Sequence, residues 1–336
     1  MFMSSFAHDR PLAFPALTAV LKAAAEATRL RILTLLAETE LTVSDLTEIL
    51  RQSQPRLSRH LRLLAEAGLV ERFREGSWAF FRLGEHGSSA DIARTLIGRL
   101  DAKDPIIARD RERLAAVRNA RAAAAQTYFR GHAAEWDRIR KLHVADAAVE
   151  EAVRAALVDK PIRALLDLGT GTGRMLELFA PDIERGIGLD LSLDMLALAR
   201  ARLDRAGLRH CSVRHGDIYD LALPRDSFDV VIIHQVLHFL DDSARAIREA
   251  ARVLRPGGRL LVIDFAPHDL EFLREQHAHR RLGFAAETVT QWLEAAGLDV
   301  MSQQTLPPGP EGKIAVSLWL ARDPRIVLAA STREVA

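Results

Sequence analysis

The segment Ala164-Leu165-Leu166-Asp167-Leu168-Gly169-Thr170-Gly171-Thr172-Gly173 passes from a short apolar run through an acid into glycines at alternate positions. Glycine allows close approach of backbone to ligand and tight turning, so this loop suits a small molecule. A dinucleotide loop, G-x-G-x-x-G, would need a glycine where Arg174 stands, and no Gly-Lys-Ser/Thr follows for a nucleoside triphosphate. Asp167 would repel a pyrophosphate but suits an ammonium. Asp190, 21 residues after Gly169, ends the next apolar run, where an acid can accept both ribose hydroxyls. In Gly216-Asp217-Ile218, after a third run, an acid and an apolar neighbour suit the amino group and ring face of adenine. Ammonium, ribose and adenine together describe S-adenosyl-L-methionine or S-adenosyl-L-homocysteine. The expected contacts are Asp167, Gly169, Thr170, Gly171, Gly173, Asp190, Leu191, Asp217, Ile218 and His234.

A sulfonium is an activated methyl donor, so transfer needs mainly positioning, plus a base when the acceptor is a hydroxyl or carbon acid. His234 and His238 follow the fourth apolar run and are candidates for that base; each is equally a candidate core or capping residue. His277 and His279, within Arg274–Arg281, stand two apart and would not share a helix face, which argues against zinc and for a polar lid or solvated surface. Cys211 is the only cysteine among 336 residues. This rules out an intrachain disulfide and a thiolate cage, and no metal is expected. A net charge of +1 gives no overall bias toward polyanions, so any nucleic-acid contact must be a local patch. No apolar run reaches about 18 residues, and Met1–Pro15 lacks the order of a signal peptide; a cytoplasmic protein without a membrane span is expected.

These residues need a scaffold. Candidate strands lie at 163–168, 185–190, 209–214, 228–233, 259–265, 299–305 and 313–321, with helical stretches between the first six. Pro307-Pro308-Gly309-Pro310 is too short for a crossover, so the last two strands should pair antiparallel at the end of a mostly parallel seven-stranded, Rossmann-like α/β sheet. Upstream, helices are expected at 17–25, 28–38, 43–50 (with Thr42 as N-cap) and 55–67. Gly68 should stop the last of these. A hairpin of 69–74 and 77–83 turns at Glu75-Gly76. Three helices and a hairpin in this order form an α+β winged helix-turn-helix. Leu57, Leu61 and Leu64 should face its core. Gln54, Arg56, Ser58, Arg59, His60 and Arg62 on the helix, with Arg72 and Arg74 on the wing, are the expected contacts to double-stranded operator DNA.

Residues 12–87 thus read as the winged helix and 88–127 as a helical linker or dimerisation segment. Residues 128–322 read as the ligand-binding α/β domain, and 323–336 as a short, loosely ordered tail.

The stretches Glu40–Leu46, Gln54–Leu61 and Glu66–Val70 resemble the ArsR/SmtB family of bacterial repressors, over about residues 15–85. Many members sense metals through a Cys-x-Cys on the third helix. Thr42 and Ser44 stand there in this chain, and hydroxyls are poor ligands for soft metals, so that role does not carry over. The glycine loop, Asp190, Gly216–Ile218, Asp229, His234–His238 and Val253–Gly258 resemble, in order, the motifs of class I S-adenosylmethionine-dependent methyltransferases, most like the ubiquinone-biosynthesis branch. The resemblance to winged-helix repressors implies a homodimer joined through terminal helices, as a palindromic operator requires. Two roles stay open. One is a transcriptional regulator whose methyltransferase-like domain takes S-adenosylmethionine or S-adenosylhomocysteine as effector. The other is an active small-molecule methyltransferase with a fused DNA-binding domain. An enzyme needs an open acceptor cavity; a sensor can have it filled by residues such as Tyr128, Trp136 or Phe284.

Overall fold

Thr42 opens its helix with a reciprocal capping box: its hydroxyl accepts the Asp45 backbone N–H, and the Asp45 carboxylate accepts that of Thr42. The structure, a computed structural model, describes residues 11–75, 78–84, 87–132, 146–308 and 314–326. The chain divides into two units, Met1–Ala123 and Ala124–Ala336.

The first unit contains α1 (Phe14–Ala24), α2 (Ala27–Glu38), β1 (Leu41–Thr42), α3 (Val43–Leu50), α4 (Gln54–Glu66), β2 (Val70–Glu75), β3 (Trp78–Leu83) and α5 (Ser88–Gly98); α6 (Pro105–His132) begins within it. Gly68, at φ +67°, ends α4, and the Leu69 N–H bonds back to the Leu64 carbonyl. The hairpin pairs Val70 with Leu83 through to Glu75 with Trp78. Its outer edge carries β1, which a two-residue strand could not announce in sequence. Ile32, Leu33, Leu46, Ile49, Leu57, Leu61 and Leu64 form the buried centre. The start of α6 is docked here, not a solvated linker. Leu114 and Val117 join this core, and Arg31 on α2 grips Asp110 on α6 in a two-pronged ion pair of 2.6 and 2.7 Å.

The second unit contains α7 (Asp146–Leu157), β4 (Ile162–Leu168), α8 (Arg174–Phe179), β5 (Ile183–Asp190), α9 (Leu193–Arg205), β6 (Cys211–His215), β7 (Phe228–His234), α10 (Ser243–Val253), β8 (Leu254–Phe265), α11 (Phe272–His277), α12 (Ala286–Ala295), β9 (Asp299–Leu306) and β10 (Val316–Arg322). The sheet order is β6-β5-β4-β7-β8-β10-β9, with β10 antiparallel to both neighbours. Central strands are buried on both faces, Leu165 in one core layer and Leu166 in the other, which explains their nearly continuous apolar sequence.

Three expectations change. No helix joins β6 to β7: the Asp217 carboxylate accepts the Tyr219 N–H, Asp217 and Asp220 bridge, and Pro224 and the left-handed Asp226 follow. Asx-turn chemistry wins over helix there. The tail is anchored at its start, since Asp323 is buried, bonds to Gly258, and grips Arg325. The helix containing His277 stops at Ala278 (φ +56°), so His279 is not on it. Trp136, the hairpin tip at Gly76 and the side chain of Tyr128 lie outside the described residues.

Candidate functional site

The carboxyl ends of β4, β5 and β7 enclose a cavity of ≈ 590 Å³, counted out to its open mouth. Asp167 and the loop after it form one wall, Asp190 and Met195 a second, and His234, Gln235, Val236 and Phe239 a third. Crevices outside strand carboxyl ends are where open α/β sheets bind ligands. The loop is held by the Leu189 carbonyl, which accepts the Gly169 and Thr170 N–H groups at 2.8 and 2.9 Å. Gly169 has φ +70°, and a Cβ there would collide with the Val236 side chain; the β7 end and the loop touch because this residue has no side chain.

Asp167 is buried and accepts the Thr170 hydroxyl at 2.6 Å. Asp190 accepts the Gly171 N–H through Oδ2 and the Ser192 N–H through Oδ1, both at 2.8 Å. The Leu191 N–H is a further backbone donor to Asp190. Burial pushes the Asp190 carboxyl above its ordinary value, opposed by these backbone donors. Arg174 also lines the cavity. Glu150 and Glu177 hold its guanidinium, with Glu150 the main cause, and raise its pKa.

Of the sequence candidates, Asp167, Gly169, Thr170, Gly171, Asp190 and His234 line the cavity. Gly173 shapes the turn at φ +81° and packs toward Ala199. Leu191 is beside the wall without being part of it. Asp217 is exposed and closes its own turn, while Ile218 is buried in the core; neither reaches the cavity wall. Sequence reasoning missed Thr172, Arg174, Met175, Met195, Gln235, Val236 and Phe239. For Gln235 the signal is conformational, a left-handed φ of +55° with its N–H bonded to the Ile263 carbonyl, which no sequence pattern marks.

His238 is not on the wall. It lies behind Phe239, ring centroids 4.0 Å apart, with its Nδ1 2.7 Å from Asp264 Oδ1. His279 stacks near it at 4.3 Å and lies parallel to Phe265. The loop carrying His279 is tied down by the Arg280 and Arg281 N–H groups on the His238 carbonyl. The expected solvated histidine surface is therefore, at His279, a packed ring cluster. Phe284 is in the core against Trp292, away from the cavity.

In the first unit, α4 exposes Gln54, Arg56, Ser58, Arg59 and Arg62, and β2 exposes Arg72 and Arg74. His60 does not share this exposure: its side chain is 12% exposed and its Nδ1 is 3.6 Å from Glu26 at the start of α2. Burial lowers its pKa, partly offset by Glu26. Arg82 is half-buried on Glu71.

Residues 26–72 match the family model for bacterial regulatory proteins of the arsR family, and residues 166–262 match that for a methyltransferase domain. The chain joins an ArsR-type helix-turn-helix to a class I methyltransferase domain. Over 143 residues, the chain is 41% identical to a Mycolicibacterium smegmatis protein named a probable S-adenosylmethionine-dependent methyltransferase, covering 41% of this chain and 52% of that protein. Over 110 residues, 39% identity links it to an arsenite methyltransferase of Aquipseudomonas alcaligenes, covering 30% of this chain and 32% of that protein. The chain thus spans about half or less of the length of these relatives. A chain in the complex between the Haloferax volcanii Trm112 methyltransferase activator and a methyltransferase shares the fold, with a TM-score of 0.51 and 23% identity over 60% of this chain and 98% of that one. Among the described residues, no three His, Cys, Asp or Glu side chains converge to hold a metal ion, and no helix is long and apolar enough to cross a membrane.

Proposed function

We propose that this chain is a DNA-binding transcriptional regulator whose methyltransferase domain takes S-adenosylmethionine or S-adenosylhomocysteine as effector. The ligand fits the walls. Asp190, on the cavity wall, takes the ribose hydroxyls, Asp167 faces the ammonium, and the glycine loop leaves room for close backbone approach. Asp217 and Ile218, outside the cavity lining, are not needed for these ribose and ammonium contacts.

The observation that carries the sensor role is the far wall. Phe239 lines the cavity, and the rings of His238, His279 and Phe265 pack behind it; we read this ring-backed wall as the acceptor side of a sensor. Bound ligand would shift the population between DNA-competent and incompetent states by its differential affinity for them. A homodimer is supported by Phe14, Leu17 and Leu21, an exposed apolar stripe on α1 at i, i+3, i+7 spacing.

One feature favours the second reading, an active methyltransferase: His234 is on the cavity wall, within reach of a reacting group. Arsenite is a poor fit as its acceptor. Trivalent arsenic is a soft centre that favours thiolates, and the sole cysteine, Cys211, is buried on β6 with its thiol pKa raised by burial. Calorimetry with S-adenosylhomocysteine, paired with operator binding with and without it, tests the regulator. Binding that changes DNA affinity supports it; no binding, or binding without effect on DNA, refutes it.

A further inference from the structure

Arg51 is in the turn between α3 and α4 with φ 53° and ψ 46°, the left-handed conformation. Among the described residues of the first unit it is the only non-glycine there. Glycine takes this conformation readily, whereas a Cβ is crowded by its own backbone. The turn is held from both sides by its neighbours. Before it, the Ile49 carbonyl accepts Nη1 of Arg113 on α6 at 3.1 Å. After it, Gln52 donates its Nε2 to Thr28 Oγ1 on α2 at 3.1 Å, and the Ser53 carbonyl accepts the Leu57 N–H at the start of α4.

None of these contacts uses the Arg51 side chain. It is exposed, and among the described residues its guanidinium forms no ion pair or hydrogen bond. Other arginines of this unit are engaged, Arg31 on Asp110, Arg82 on Glu71 and Arg111 on Glu38. The chain therefore keeps a strained backbone at a position where glycine would relieve it, and the side chain returns no internal contact. Strain held in place by surrounding structure is a mark of a functional position.

In a helix-turn-helix, the second helix enters the major groove by its N-terminal residues while the helix before it crosses the backbone. Here α3 ends at Leu50 and α4 begins at Gln54. The turn joining them lies at the rim of the groove, where phosphates are the groups within reach. A guanidinium is a planar fork that matches phosphate oxygens.

We propose that Arg51 is a phosphate clamp in the helix-turn-helix turn: it grips one backbone phosphate at the groove rim and sets the register in which α4 presents Gln54, Arg56 and Arg59 to the bases. This rests on the DNA-binding reading above and adds to it a residue that carries affinity without sequence preference.

The test uses the full chain, an operator duplex selected from a random-sequence pool with the unaltered protein, and a scrambled duplex of equal length. Fluorescence anisotropy titrations over a series of salt concentrations give affinity and its salt slope. Arg51→Gly should weaken binding to both duplexes by the same factor, about threefold to tenfold, and reduce the salt slope by about one. Its thermal midpoint should stay level or rise, because glycine relieves the left-handed backbone. Arg51→Lys keeps the charge and should retain the slope. Unchanged affinity and slope in Arg51→Gly overturn the proposal, as does a loss confined to the operator, which makes Arg51 a base reader. A slope lost equally in both variants overturns it as well, and a marked fall in the Arg51→Gly midpoint assigns the side chain to the fold instead. Failure of the unaltered chain to bind either duplex removes the DNA-binding reading and this inference together, whereas the other adverse outcomes remove only the inference.

Discussion

Asp264 and His238 form a sealed pair at the carboxyl ends of β8 and β7: Oδ1 and Nδ1 are 2.7 Å apart, with the side chains 0% and 2% exposed. The same carboxylate accepts the backbone N–H groups of His238 and Phe265, and so ties the turn after β7 to the end of β8. Removing one partner strands a buried polar group on the other. His238→Ala should destabilise the methyltransferase domain by roughly 3 kcal/mol, read by denaturant unfolding. Phe239 then loses its backing, so ligand affinity should fall as well. Unchanged stability would show that the pair is dispensable.

His268 sets an acid limit. Burial first, then the nearby His238, push its pKa down from 6.5 to about 4. The folded state binds its proton less readily than the unfolded state. Its contribution is therefore fully present above pH 6.5 and is lost as pH falls toward 4. Thermal midpoints measured over that window should decline on acidification, and His268→Asn should flatten the decline. A parallel curve for the variant would count against this group.

Asp190 is expected to give ligand binding its pH dependence. Ribose hydroxyls donate to the carboxylate, while burial favours the protonated acid. Affinity for S-adenosylhomocysteine should be constant above the raised pKa and fall below it by up to about tenfold per pH unit, beginning above the ordinary 3.8. Asp190→Ala should weaken binding at neutral pH, with the fold intact by circular dichroism. Unchanged calorimetric affinity would move the ribose contact elsewhere.

Gly169→Ala combines a left-handed φ with a collision against Val236. More than about tenfold loss of S-adenosylhomocysteine affinity is expected, because the loop must shift away from the β7 end. Operator binding without ligand should persist, since the winged helix is a separate unit. Retention of full ligand affinity would mean that the loop tolerates the move.

On the DNA side, Arg59 and His60 should behave oppositely despite being adjacent. Arg59→Ala is expected to cost about 1–3 kcal/mol in operator affinity; an equal loss on random DNA would assign it to phosphate. His60 faces Glu26, so His60→Ala should lower the stability of the winged helix and leave operator affinity nearly unchanged. Gel-shift titrations against cognate and scrambled duplexes distinguish the two.

Much of this molecule was legible in one dimension because the signals are local. Glycine spacing placed the loop, apolar runs placed the seven strands, and caps and stops at Thr42 and Gly68 placed helix ends. Asp167 and Asp190 could be picked out because each is at a strand's carboxyl end, a position that the run itself defines. Asp217 also follows a strand, but it lies outside the cavity lining and its Oδ1 accepts the Tyr219 N–H of an Asx turn, a local detail that its position after a strand does not announce. The remaining decisions were tertiary. Glu150 meets Arg174 from 24 residues away and Asp264 meets His238 from 26, pairings set by strand order and helix packing that leave no periodic trace. Ala278 ends a helix and turns His279 into a ring stack, reversing the surface its spacing implied. The sequence by itself determined which elements form and where a ligand loop lies, because backbone preference and apolar period act within a few residues. Only the tertiary structure decided which side chains face the cavity, which are paired and which pack behind its walls, because burial and charge depend on neighbours that the chain brings together only on folding.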